Sequence, residues 1–232
     1  MFTYDEYRRV YNLPYSQEVC DIYLTEGGLF KEYVINDYSS MKAYIETSIV
    51  ANLAECLHAE LTPLQARTIT YAVLFKAICP SNLSNVPVLR ESDIELSNFL
   101  TTMGIDINIT IENRDLIRVA DIFEHTGIIV RVKNFDSKSS IKERYYITNP
   151  SLASQLIKVA YGLTSLEDAI LRHLFEASAM VQLTYHRILE HDIYFLDSEG
   201  RIAIPKKELD IVVIDNKREI VYLFECIHSQ IH

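Results

Sequence analysis

Asp210 sits in the apolar run Glu208-Leu209-Asp210-Ile211-Val212-Val213-Ile214, and Glu225 in the next one, Ile220-Val221-Tyr222-Leu223-Phe224-Glu225-Cys226-Ile227. Two acids on neighbouring strands, joined by Glu176 from a preceding helix, are the donor set that holds magnesium through oxygen and activates water against a phosphodiester. That chemistry also needs a cation to orient the nucleophile and to stabilise charge developing on the phosphate. Lys206 and Lys207, just before the first of these strands, are the candidate cations. The competing reading is that Asp210 and Glu225 are hydrogen-bonded strand acids in a fold kept for packing.

A second group of residues suggests contact with a polyanion. Arg131, Lys133, Lys138, Lys142 and Arg144 are opposed locally only by Asp136 and Glu143, a reversal of sign in a chain of net charge -10. A hairpin carrying these cations could follow a phosphate backbone while the helix before it enters the major groove of double-stranded DNA, presenting Asn113, Arg114 and Arg118. Glu112 and Asp115 oppose that reading, because they repel phosphates. The bland alternative is a solvated hairpin on a helical core that packs against protein.

Other chemistry lacks its motifs. No phosphate-binding Gly-rich loop occurs and no Gly-x-Ser-x-Gly elbow is present. Cys20, Cys56, Cys79 and Cys226 form no Cys-x-x-Cys pair, so neither a zinc site nor a disulfide framework is indicated. His186 and His191, five apart, do not share a helical face. The tyrosines crowded into the N-terminal region read as core and interface residues.

The elements that must position these residues follow from periodicity. Ser16 opens a helix that stops at Gly27-Gly28, where a left-handed cap is available. Further helices are expected from about Ser40 to Glu60, Leu64 to Cys79, Ser92 to Met103 (with a Ser92/Glu95 capping box) and Thr110 to His125. The last of these is expected to bury Leu116, Ile117, Ala120 and Phe123 and to end at Gly127. Alternation then predicts a hairpin from Ile128 to Lys133 and Arg144 to Thr148. Three helices and a hairpin in this order make a winged helix-turn-helix. Helices from about Pro150 to Val159 and Ser165 to Leu189, then strands at 193–196, 209–214 and 220–226, complete the chain as a small α/β module.

The expected fold is therefore α+β and mostly helical, in three parts: a helical connector over 1–61, a winged helix over 62–149 and the α/β module over 150–232. At 232 residues, 49% of them apolar, the chain can build more than one core. It has neither the uninterrupted apolar run of roughly 18 residues that a membrane span needs nor a secretory signal at Met1-Phe2-Thr3-Tyr4-Asp5-Glu6. A cytoplasmic location without membrane contact is the expectation.

The order of these features resembles the region C-terminal to the ATPase module in bacterial and archaeal AAA-type P-loop ATPases. Met1-Phe2-Thr3-Tyr4-Asp5-Glu6-Tyr7 is similar to the stretch that follows the last ATPase strand in that family. Tyr23-Leu24-Thr25-Glu26-Gly27-Gly28-Leu29-Phe30 resembles its Tyr-Leu-x-x-Gly-Gly-Phe-Pro segment, departing at Leu29 and Phe30. Gly127-Ile128-Ile129 and Tyr145-Tyr146-Ile147-Thr148-Asn149-Pro150-Ser151-Leu152-Ala153 are similar to its wing. Leu174-Phe175-Glu176, Glu208-Leu209-Asp210 and Phe224-Glu225 fall where the acids of its restriction-endonuclease-like module lie, although Ile227 stands where that module commonly keeps a lysine. The resemblance implies a degenerate nuclease-like module and a P-loop motor upstream that this chain lacks, so that the chain is expected to be an excised fragment. ATP and magnesium would belong to that motor, and no cofactor is expected here. The leading expectation is a non-catalytic accessory region that binds DNA, the upstream ATPase module or another protein. The alternatives are a metal-dependent nuclease using Glu176, Asp210 and Glu225, with Asp210 and Glu225 as the core metal ligands, and a protein-interaction module built on the N-terminal helices.

Overall fold

The computed structural model describes residues 3–27, 35–78, 94–105, 109, 111–136, 143–166, 168–185, 191–198 and 207–226. Lys138, Lys142, Lys206 and Ile227 lie outside the described residues, as do Gly28 to Phe30, Ser92, Thr110 and His186. The fold is α+β, a helical body carrying one five-stranded mixed sheet. Among the described residues no helix is long and apolar enough to cross a membrane.

The N-terminal helices α1 (Tyr4–Val10) and α2 (Gln17–Glu26) start at side-chain caps, Thr3 and Ser16, which accept the otherwise orphaned backbone N–H groups of Glu6 and Val19. Tyr4, Tyr7, Tyr11, Tyr15 and Tyr23 pack ring against ring between them, with centroids 4.9–6.0 Å apart. Gly27 ends α2, but in extended backbone (φ -80°) rather than in the expected left-handed cap. A Cβ added there would meet Tyr23 Cδ2 at 2.4 Å, so close approach makes the position glycine.

The helix expected over 40–60 begins earlier and is not uniform. It runs as α3 (Tyr38–Tyr44), a π-helical turn (Ile45–Val50) and α4 (Ala51–Cys56). The wide turn coincides with a polar contact: Glu46 Oε1 accepts hydrogen bonds from Arg67 Nε at 2.7 Å and Tyr71 OH at 3.0 Å. Both partners belong to α5 (Pro63–Ile78), which opens with a Thr62/Gln65 capping box and Pro63 in its first turn. Helix α5 is buried on nearly every side from Ala66 to Ile78 and forms the axis of the main core. Its buried Thr68 and Thr70 satisfy their hydroxyls by donating to the carbonyls of Leu64 and Ala66.

Helices α6 (Ile94–Thr102) and α7 (Asn113–His125) pack on α5. In α7 the buried stripe is Leu116, Val119, Ala120 and Phe123, whereas Ile117 faces out. That stripe follows the i, i+3, i+4, i+7 spacing, which Ile117 does not share. Gly127 (φ +72°) turns the chain into β1 (Ile129–Asn134), paired antiparallel with β2 (Glu143–Ile147) as expected. Helix α8 (Pro150–Tyr161) is capped by Asn149 and ends on left-handed Gly162, and α9 (Asp168–Tyr185) follows. Strands β3 (His191–Ser198), β4 (Lys207–Asp215) and β5 (Ile220–Phe224) form an antiparallel meander.

The hairpin does not stand free. Strand β1 pairs parallel with β3, Lys133 opposite Tyr194 and Asn134 opposite Phe195, so the sheet order is β2-β1-β3-β4-β5. Phe135 N extends the join by donating to Phe195 O at 2.8 Å. One face of this sheet packs on α9 through Val130, Val132, Tyr146, Phe195, Ile211 and Val213 against Ala177, Met180 and Val181, a second core distinct from the helical one.

Candidate functional site at the junction of helix α9 and the sheet

Strand alternation delivers Arg144 and Tyr146 of β2 to the same face, and the helical period delivers His173, Glu176, Ala177 and Met180 of α9 towards it. Glu176 Oε1 accepts a hydrogen bond from Tyr146 OH at 3.0 Å and pairs with Arg144 Nη1 at 3.4 Å. Both charged side chains are removed from solvent, Arg144 to 9% exposure and Glu176 to 16%. The Arg144 guanidinium lies 4.4 Å from the centroid of the Phe195 ring, adding a cation–π contact in a desolvated place.

These contacts control ionisation. Burial, reinforced by the charge of Glu176, holds the Tyr146 hydroxyl protonated far above its ordinary range. Burial and then the positive charge of Arg144 lower His173 to about 4, so it is neutral near pH 7. Burial, then Asp210 and Glu176, push the Cys226 thiol up to about 12. A thiol held protonated is a poor nucleophile.

Asp210 occupies a bulge. From Tyr194/Val212 to Leu196/Leu209 the β3–β4 register slips by one, so Asp210 and Ile211 together oppose Phe195. A bulge re-aims the side chain it carries. Asp210, buried, turns its Oδ2 to accept the backbone N–H of Cys226 at 2.6 Å, just past the end of β5. The bond closes the sheet end where the ladder stops at Ile211/Phe224. Glu225 lies outside this contact; it is exposed and pairs loosely with Arg172 Nη2 at 3.7 Å.

The three acids expected to share a metal thus have separate partners: a buried guanidinium and a phenol, a backbone amide, and a surface arginine. In this arrangement Glu176 is neutralised by Arg144, and Asp210 has one oxygen on the Cys226 backbone amide. Among the described residues no group of three or more His, Cys, Asp or Glu side chains is placed to hold a metal ion.

The residues expected to meet DNA divide. Asn113, Arg114 and Arg118 are exposed along α7. Arg114 Nε lies 2.9 Å from Glu112 and 3.6 Å from Asp115, and Arg118 Nη2 donates to Glu60 at 2.8 Å. Pairs so exposed are worth about 0–1 kcal/mol and rearrange easily. Lys133 is exposed on β1. Arg131 is held more firmly, by Glu124 at 2.5 Å and Asp121 at 3.0 Å. Burial alone would lower its pKa, but Glu124 raises it above the usual arginine value. Arg144 is in the core and faces α9 instead of solvent. Tyr146 and His173, both missed as site residues in the sequence, complete its surroundings; the alternation of Arg144 with Tyr146 could have found the first, and no signal in the sequence pointed to His173.

No family model, no curated protein and no solved structure matches this chain.

Proposed function

We propose that this chain is a non-catalytic accessory region that docks onto a partner in a larger assembly. The observation that carries the reading is the largely buried Arg144–Glu176 pair. A guanidinium donated by the hairpin supplies, from within the chain, the positive charge that a catalytic metal would bring to the acid. Glu176 is thereby committed to joining α9 to β2, and Asp210 to closing β5. In this reading the acids hold the fold, and the resemblance to the region beyond an AAA-type ATPase module names the kind of assembly: ATP hydrolysis would belong to the motor and the docking surface to this chain.

Duplex DNA is a second occupant for the α7 face, favoured by Asn113, Arg114 and Arg118 lying exposed in its first two turns with Lys133 exposed on β1. Incubating the protein with plasmid DNA and Mg²⁺ or Mn²⁺ tests the first claim. Cleavage that disappears in Asp210→Ala would sink the non-catalytic reading. Fluorescence anisotropy with a DNA duplex over a salt series tests the second. The expected result is binding that weakens with salt and falls in Arg114→Ala/Arg118→Ala; no binding at low salt removes DNA as the occupant.

A further inference from the structure

A cavity of about 810 Å³ lies between α2, α8 and the segment that leads from α8 into α9. Its volume is in the range of small-molecule sites. One wall is a single face of α2, on which Glu18, Asp21, Ile22, Thr25 and Glu26 recur at helical spacing. Local hydrogen bonds fix this wall: Gln17 Nε2 donates to Asp21 Oδ1 at 2.9 Å, and the Thr25 hydroxyl donates to the Asp21 carbonyl, also at 2.9 Å.

Gln155 of α8 reaches the cavity from its buried side. It is 6% exposed, yet among the described residues its side-chain amide has no hydrogen-bond partner. Buried amides are ordinarily matched, so an unmatched one in a cavity wall marks a place for a ligand or an ordered water. The surrounding charges select the ligand. Glu18, Asp21 and Glu26 are opposed in the lining only by Lys158, which leaves two negative charges in excess. Glu18 and Glu26 make no ion pair among the described residues. Nor are the acids grouped to hold a metal ion. Glu18 and Glu26 are eight residues apart, roughly 12 Å along the helix axis at about 1.5 Å per residue.

We propose that this cavity binds an aliphatic polyamine, a flexible methylene chain carrying several ammonium groups. The ammonium groups pair with Glu18, Asp21 and Glu26, and the methylenes lie on Ile22, Leu166 and Leu171. One N–H donates to Oε1 of Gln155; the α8 wall offers no carboxylate, so this amide is the anchor there. A lysine or arginine side chain of another protein brings a single cation, which leaves the spaced acids unmatched.

None of these residues belongs to α7 or to the Arg144–Glu176 pair, so the site stands or falls separately from the proposed function. Isothermal titration calorimetry of the full chain with spermidine should show saturable binding at one site that weakens as salt is raised. Gln155→Leu removes the amide without changing any charge. It should weaken binding about tenfold, the loss of one hydrogen bond to a charged group, with the circular dichroism spectrum unchanged. Glu18→Gln combined with Glu26→Gln should weaken it about fivefold. Should Gln155→Leu misfold, Ile22→Lys decides, because residue 22 is on the surface and an ammonium there should weaken binding at least about tenfold. No saturable binding of spermidine overturns the proposal. So does a folded Gln155→Leu that binds as well as the parent chain, or Mg²⁺ that displaces spermidine at equal concentration, since the acidic surface would then be attracting any cation. A lysine-rich peptide that binds where spermidine does not overturns it in favour of a protein ligand.

Discussion

At one edge of the sheet, β2 is packed beneath α5, α8 and α9, and its residues from Arg144 to Ile147 are buried. At the other edge, β5 is exposed along its whole length. The covered edge contains the polar residues: Arg144 and Tyr146 point inward and are satisfied by Glu176. The bare edge contains the apolar ones. Pattern-based intuition would exchange the two, placing the apolar strand inside and the arginine outside. The difference teaches that a largely buried charge pair can fasten a strand, whereas an apolar strand can stand exposed at a sheet edge.

The comparison breaks most readily at Arg144. Arg144→Ala leaves Glu176, largely shielded from solvent, without a counter-charge, and the expected loss is about 3–5 kcal/mol in urea unfolding. Replacing both partners, Arg144→Met with Glu176→Met, should recover much of it. A loss below about 1 kcal/mol would mean that the covered edge is held by packing alone. Asp210→Ala should rank next, at about 1–3 kcal/mol, because the Cys226 N–H is left without its acceptor. Faster hydrogen exchange at Cys226 would locate the effect.

The covered edge also predicts a pH dependence. His173 is lowered to about 4 in the folded chain, below its ordinary value near 6.5. Between those values the unfolded chain binds the proton and the folded chain does not, so stability should fall as pH drops from about 6.5 towards 4. His173→Gln should flatten that part of the profile in pH-dependent urea titrations, and an unchanged slope would assign it to other groups. The smallest effect belongs to the bare edge. Val221→Lys should change unfolding free energy by no more than about 0.5 kcal/mol, because its side chain is on the surface.

Local pattern carried most of the elements. The helix start at Ser16 and the alternation in the hairpin act over a few residues and are visible as letters. Phase could be read too: Ile117 and Val119 are both apolar, but only Val119 shares the i, i+3, i+4, i+7 spacing of Leu116, Ala120 and Phe123, and the expectation that Ile117 is buried set that spacing aside. The site was less legible than the fold. A count of charges cannot distinguish a solvated guanidinium from one facing a glutamate 32 residues away. Nor does any short motif announce that β4 bulges at Asp210, or that β1 will find β3. The π-helical turn is of the same kind, since its polar contact to Arg67 and Tyr71 comes from another helix.

The parallel joint between β1 and β3 bears on how the chain reaches its final shape. The hairpin β1–β2 and the meander β3–β4–β5 each close over short loops, but Lys133 meets Tyr194 only after two helices have intervened. Bringing such distant residues together has an entropy penalty that a local turn does not, and folding slows as contacts become less local. The joint is therefore the step at which the two halves of the sheet must wait for each other, and until it forms the edges of β1 and β3 are open alongside that of β5.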